Sequence, residues 1–149
     1  MAGLRFAAVQ EEISTGSGAW KTLVQVVAAS NHRVKVEEII ISFKGTSNTA
    51  TPIRVDILRQ TDAGTASALT LVKLDDSAGE TLQTTAQHSA SVEPSAGDVL
   101  ASQYIHPQGG SHWQARFGGE YLIGGGDRLG VRVYAGADVE AAVTLHGEE

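Results

Sequence analysis

The sequence predicts an all-β fold, a single-domain antiparallel β-sandwich that is jelly-roll-like, and three observations carry that prediction. Apolar residues recur with a period of two along most of the chain, turn-forming clusters separate these runs at short intervals, and no capped stretch sustains a helical period. Seventeen glycines supply tight connections between short strands. A length of 149 residues suits one domain, and a 42% hydrophobic, 19% charged composition supports a packed core rather than disorder. Two sheets with Greek-key connections bury this alternation without long free edges; an up-and-down barrel is the alternative.

Taken in order, Leu4–Val9 reads as a strand, so residues 1–19 form an N-terminal arm or first strand ahead of a sandwich domain over 20–149. Lys21–Ala28 follows. In Arg33–Phe43, Val34 and Val36 face one way while Arg33, Lys35 and Glu37 face the other. The Glu37-Glu38 step shifts that phase, as a bulge or as entry into a strand covered on both faces, since Ile39 to Ile41 is continuously apolar. Ile53, Val55 and Ile57 alternate with Arg54 and Asp56; Leu129, Val131 and Val133 flank Arg132; Val139, Ala141, Val143 and Leu145 alternate with Glu140, Thr144 and His146. Ala68–Leu74, Thr81–His88, Asp98–Ile105 and His112–Phe117, the last running through Gly118-Gly119 into Tyr121–Ile123, bring the total to about ten strands. The polar segment Asp75–Ser95 reads as a long crossover or a weak edge strand around Leu82, Gly124-Gly125-Gly126-Asp127 as a β-turn, and the tail Gly147-Glu148-Glu149 as loosely held.

Charge narrows the function classes. Eleven Lys and Arg against 17 Asp and Glu give a formal charge of −6, which disfavours a phosphate-backbone binder and hence nucleic acid as partner. The absence of cysteine excludes disulfides, thiolate metal sites and cysteine nucleophiles. No apolar run approaches the roughly 18–20 residues of a membrane helix, and Met1–Phe6 lacks the pattern of a leader, so the chain reads as soluble and unprocessed, with no membrane partner.

Catalytic patterns are equally sparse. Five histidines, at 32, 88, 106, 112 and 146, show neither His-x-His nor His-Glu-x-x-His spacing, so no metal site is expected. Gly16-Ser17-Gly18 is not a nucleophile elbow, neighbouring carboxylates such as Glu11-Glu12 and Glu37-Glu38 point to opposite faces of a strand, and Asp75-Asp76 lacks the alternating oxygens of a calcium loop. The expectation is a protein with no catalytic residues and no cofactor, not an enzyme. Trp20, Tyr104, Trp113, Phe117 and Tyr121 fill the core or anchor a surface, with Tyr104 to Tyr121 gathered around one loop.

The motifs Lys21-Thr22-Leu23-Val24-Gln25-Val26, Arg33-Val34-Lys35-Val36, Ser42-Phe43-Lys44-Gly45-Thr46, Thr51-Pro52-Ile53-Arg54-Val55, Leu58-Arg59-Gln60-Thr61, Glu93-Pro94, His106-Pro107-Gln108-Gly109-Gly110 and Gly125-Gly126-Asp127-Arg128-Leu129-Gly130-Val131-Arg132 occur in an order that resembles small virion proteins of tailed bacteriophages, of the capsid decoration or cement type. The resemblance spans Trp20 to Glu149. It implies a β-sandwich made in the host cytoplasm and carried on the outer capsid surface of the virion, where it binds the major capsid protein and itself as a homo-oligomer, a trimer being favoured. Such a protein works by surface contact. Leu4, Phe6, Val9 and Ile13 are then candidate interface residues as apolar anchors of an N-terminal arm, and Tyr104, Trp113, Phe117 and Tyr121 form a second candidate interface. The alternative is a tail-associated or glycan-binding module with Trp113, His112, Gln114 and Arg116 as its sugar site. A cupin-like metalloenzyme, the third reading, requires the histidines to converge.

Overall fold

A computed structural model describes residues 3–149, and within them the chain forms strands, turns and loops and no helix. The strands are β1 (Arg5–Ser14), β2 (Trp20–Val27), β3 (Val34–Phe43), β4 (Ile53–Gln60), β5 (Thr65–Leu69), β6 (Val72–Lys73), β7 (Thr85–Val92), β8 (Ala96–Ile105), β9 (Gly110–Gln114), β10 (Tyr121–Ile123), β11 (Arg128–Tyr134) and β12 (Glu140–Glu148). They make two sheets packed face to face. The first runs β10-β3-β12-β1-β6, with β9 also on β3; the second runs β5-β7-β2-β11-β4-β8.

The pairing is nested. β1 pairs with β12, β2 with β11, β3 with β9 and β10, and β4 with β8, all antiparallel, as in one long hairpin folded about its middle. That hairpin is rolled up, so β12 also meets β3 and β11 also meets β4, and alternate pairs fall in opposite sheets. This winding is a jelly roll and excludes the up-and-down barrel, in which neighbours in sequence are neighbours in the sheet. The segment between β4 and β8 extends the roll, adding β6 beside β1 and β7 with β5 beside β2.

The core follows from the alternation. Phe6 and Ile13, Leu23 and Val26, Val34 and Val36, Ile53 and Val55, Val131 and Val133, and Val143 and Leu145 send fully or almost fully buried side chains between the sheets. Each large side chain so buried contributes about 1.5–3 kcal/mol, which fixes which face of every strand turns inward. The phase shift in β3 is a bulge. Glu38 lies opposite His146 and Val36 opposite Gly147, leaving Glu37 as the extra residue, so Ile39, Ile41 and Phe43 regain the inward face.

Several expectations are corrected. Of the two readings of the N-terminal segment, residues 5–14 form the first strand, locked between β12 and β6, so Phe6 and Ile13 are core residues and not the arm anchors expected; Met1 and Ala2 lie outside the described residues. Ala68–Leu74 is two strands, because the chain crosses from the second sheet to the first at Thr70-Leu71 while Leu69 and Leu71 both touch the core. Leu82 precedes rather than occupies a strand, and Thr85–Val92 is an inner strand between β5 and β2, not a crossover or an edge. Its polarity misled because Gln87 is satisfied laterally, by the side chain of Gln25 and the carbonyl of Ala63. His112–Phe117 ends as a strand at Gln114. The tail is held. Glu148 belongs to β12, Leu4 and Glu149 exchange backbone hydrogen bonds, and the Glu149 carboxylate accepts from the N–H groups of Gln83 and Thr84 at 2.8 and 2.7 Å.

Candidate interaction surface on the outer face of the second sheet

Strands β2, β11, β4 and β8 lie side by side, and their registers align two rows of outward side chains. Trp20, Tyr134, Arg54 and Tyr104 occupy one row; Thr22, Arg132, Asp56 and Ser102 occupy the next. Directly opposed residues share a face of a sheet, so these eight stand together on the side away from Val55 and Val133.

Asp56 organises them. Its side chain is 0% exposed, and both carboxylate oxygens are engaged. Oδ1 accepts from Ser102 Oγ at 2.7 Å and Arg54 Nε at 3.2 Å, while Oδ2 accepts from Arg132 Nη2 at 3.1 Å and Nε at 3.4 Å. Burying a carboxylate is costly unless it is paired and hydrogen-bonded, and two guanidinium groups and a hydroxyl meet that requirement. The guanidinium carbon of Arg132 sits 3.9 Å from the Trp20 ring centroid and that of Arg54 at 5.1 Å, both cation–π contacts. Tyr134 meets Trp20 edge to face, with centroids 5.5 Å apart at 69°. The result is a rigid aromatic and cationic platform from which Tyr104 stands 74% exposed and Tyr134 42% exposed.

A chain of amides backs the platform along the same face. Gln87 donates to Gln25 Oε1 at 2.9 Å, Gln25 to Gln60 Oε1 at 2.7 Å, and Gln60 to Thr22 Oγ1 at 2.7 Å; Thr22 in turn donates to Glu93. Gln25 also donates to the carbonyl of Asp62, which brings the loop after β4 over the sheet. The Asp62 carboxyl is held below its ordinary value by the Ser95 hydroxyl first, then by the N–H groups of Ser95 and Gly64. Gly130 makes the chain possible, because a Cβ there would collide with the Gln60 amide.

No protein-family model, curated protein or solved structure matches the chain. Its chemistry is therefore read from its own residues.

Of the residues singled out from sequence, Tyr104 belongs to the platform. Val9 is exposed, Leu4 is half-buried, and Phe6 and Ile13 are buried in the core. Trp113 and Tyr121 stack on each other at 4.4 Å and 14°, both turned toward the core at the flank of β3, while Phe117 is fully exposed at the tip of the six-residue excursion between β9 and β10. Of the alternative sugar site, Trp113, Gln114 and Arg116 line one surface pocket with Phe117, whereas His112 stands outside it, facing outward opposite Ile40.

His112 and His146 do approach one acid, on the outer face of the first sheet. Glu38 Oε1 lies 2.5 Å from His112 Nε2, and Oε2 lies 2.8 Å from His146 Nδ1. The hydrogen bond with His146, then that with His112, holds the Glu38 carboxyl below its ordinary value. Among the described residues no three such groups gather as a metal site. What sequence reasoning missed is the set Arg54, Asp56, Arg132 and Tyr134. Its signal was the i, i+2 spacing in Trp20-Lys21-Thr22, Arg54-Val55-Asp56, Ser102-Gln103-Tyr104 and Arg132-Val133-Tyr134, which marks one face of each strand but not its neighbours.

Proposed function

We propose that this chain is a structural virion protein of a tailed bacteriophage, which decorates and stabilises the capsid by binding the major capsid protein on the outer head surface. The observation that carries the reading is the Trp20, Arg54, Arg132, Tyr134 and Tyr104 platform, preorganised by a buried carboxylate. Trp, Tyr and Arg dominate the binding energy of protein interfaces, and side chains already fixed by neighbours lose little freedom on binding. The phage resemblance supports it from a second side. Two motifs that carry that resemblance, Thr51–Val55 and Gly125–Arg132, contain the two arginines of the platform.

Jelly rolls present broad, rigid faces suited to repeated contact, and a lattice supplies many equivalent sites for a homo-oligomer such as a trimer. The test is the copy number of this chain relative to the major capsid protein in gradient-purified virions. A ratio near that of the shell protein, or a simple fraction of it, is expected. A few copies per particle would overturn the decoration role in favour of a tail-associated, glycan-binding one.

A further inference from the structure

The sheet edges of this protein are not treated alike. On the first sheet, β1 is paired with β6 only at Phe6 and Ala7; beyond them it carries the Glu11-Glu12 bulge, with Glu12 at φ 53°. The other flank of that sheet is broken between β9 and β10 by the Ala115–Glu120 excursion. On the second sheet, β5 has five residues and a register shift between Thr65 and Ser67, and it lies against β1. Charges, bulges, interruptions and short length are the devices that keep sheet edges from pairing with other chains.

β8 lacks them over its second half. Ala101–Ile105 pairs in unbroken register with Ile53–Ile57, its sequence Ala-Ser-Gln-Tyr-Ile holds no charge and no proline, and among the described residues its outer edge makes no backbone hydrogen bond. Beside this edge stands a cation with spare capacity. Arg54 reaches across to β8, where its Nε bonds Ser102 Oγ at 3.3 Å as well as Asp56. Its Nη groups have no partner among the described residues, and its side chain is 41% exposed. Asp56 is shared between two guanidinium groups, and among the described residues no second carboxylate lies within 4 Å of Arg54.

We propose that the edge of β8 over Ala101–Ile105 is a strand-addition site for an extended segment of a partner protein, with a carboxylate side chain of that segment received by Arg54. Main-chain hydrogen bonds to the edge supply affinity; the acid beside Ser102 and an apolar neighbour beside Tyr104 supply specificity. The inference rests on the reading of this face as a protein contact and adds how the contact is made.

A displayed library of random peptides, selected on the full chain and followed by hydrogen exchange with the enriched peptides, tests it. The enriched sequences are expected to place Glu or Asp within a β-branched run and to slow exchange of the Ala101–Ile105 amides. Glu→Gln in the peptide, which leaves the protein untouched, is expected to weaken binding roughly tenfold, as is Arg54→Gln in a folded variant. No enrichment, enrichment without acids, or protection elsewhere overturns the proposal. So does protection of β8 that rises with protein concentration alone, which would make the occupant a second copy. A high virion copy number with no β8 protection leaves the shell role standing and overturns strand addition alone.

Discussion

Asp56 and Arg132 occupy directly opposed positions of β4 and β11, and the carboxylate accepts two N–H groups from a guanidinium that also covers the face of Trp20. One buried acid thus holds the geometry of the whole platform.

Asp56→Ala is expected to destabilise the fold by about 3–5 kcal/mol, because it leaves Arg132, with a side chain only 12% exposed, without its counter-charge. Urea denaturation measures the loss. Trp20 fluorescence is expected to report a loosened ring in the same variant.

Gly130→Ala tests the amide chain. The added methyl collides with the Gln60 side chain, which must release Gln25 or Thr22. A buried amide left unpaired costs about 1–3 kcal/mol. A midpoint of denaturation unchanged from the parent protein would show that Gln60 moves aside freely.

Phe6 and Phe117 are expected to respond in opposite ways. Phe6 is fully buried, so Phe6→Ala removes core volume and costs about 3–5 kcal/mol. Phe117 touches solvent on all sides, so Phe117→Ala is expected to change stability by about 0.5 kcal/mol or less. Thermal unfolding of both variants separates them.

Glu38 supplies a pH dependence. Its carboxyl is held below the ordinary value of 4.5, by His146 first and His112 second. A depressed folded value means the stabilisation is complete above pH 4.5 and is lost as the pH falls through the lower folded value. The stability advantage of the parent protein over Glu38→Gln is therefore expected to shrink as the pH falls below 4.5. Urea midpoints measured across that range check it; an advantage that grew on acidification would contradict the pairing.

The last two strands were legible because Val131, Val133, Val143 and Leu145 alternate cleanly against polar neighbours. β7 was legible only as far as His88, within the strand read over Thr81–His88, and its inner position was not, because its polar residues are satisfied by partners distant in sequence: Gln87 meets Gln25, and Ser91 donates to the carbonyl of Thr65. Local polarity reports solvent only when no other strand supplies the hydrogen bonds.

The sequence by itself determined that this chain is an all-β sandwich, which side of most strands is apolar, and that Tyr104 is a surface candidate. Only the tertiary structure decided that Trp20, Arg54, Asp56, Ser102, Tyr104, Arg132 and Tyr134 form one site, and that Glu37 is bulged. The reason lies in the range of the interactions. A period of two is written in neighbouring residues, whereas register is set by the packing of complete strands, where a slip of one position would turn every side chain to the opposite face.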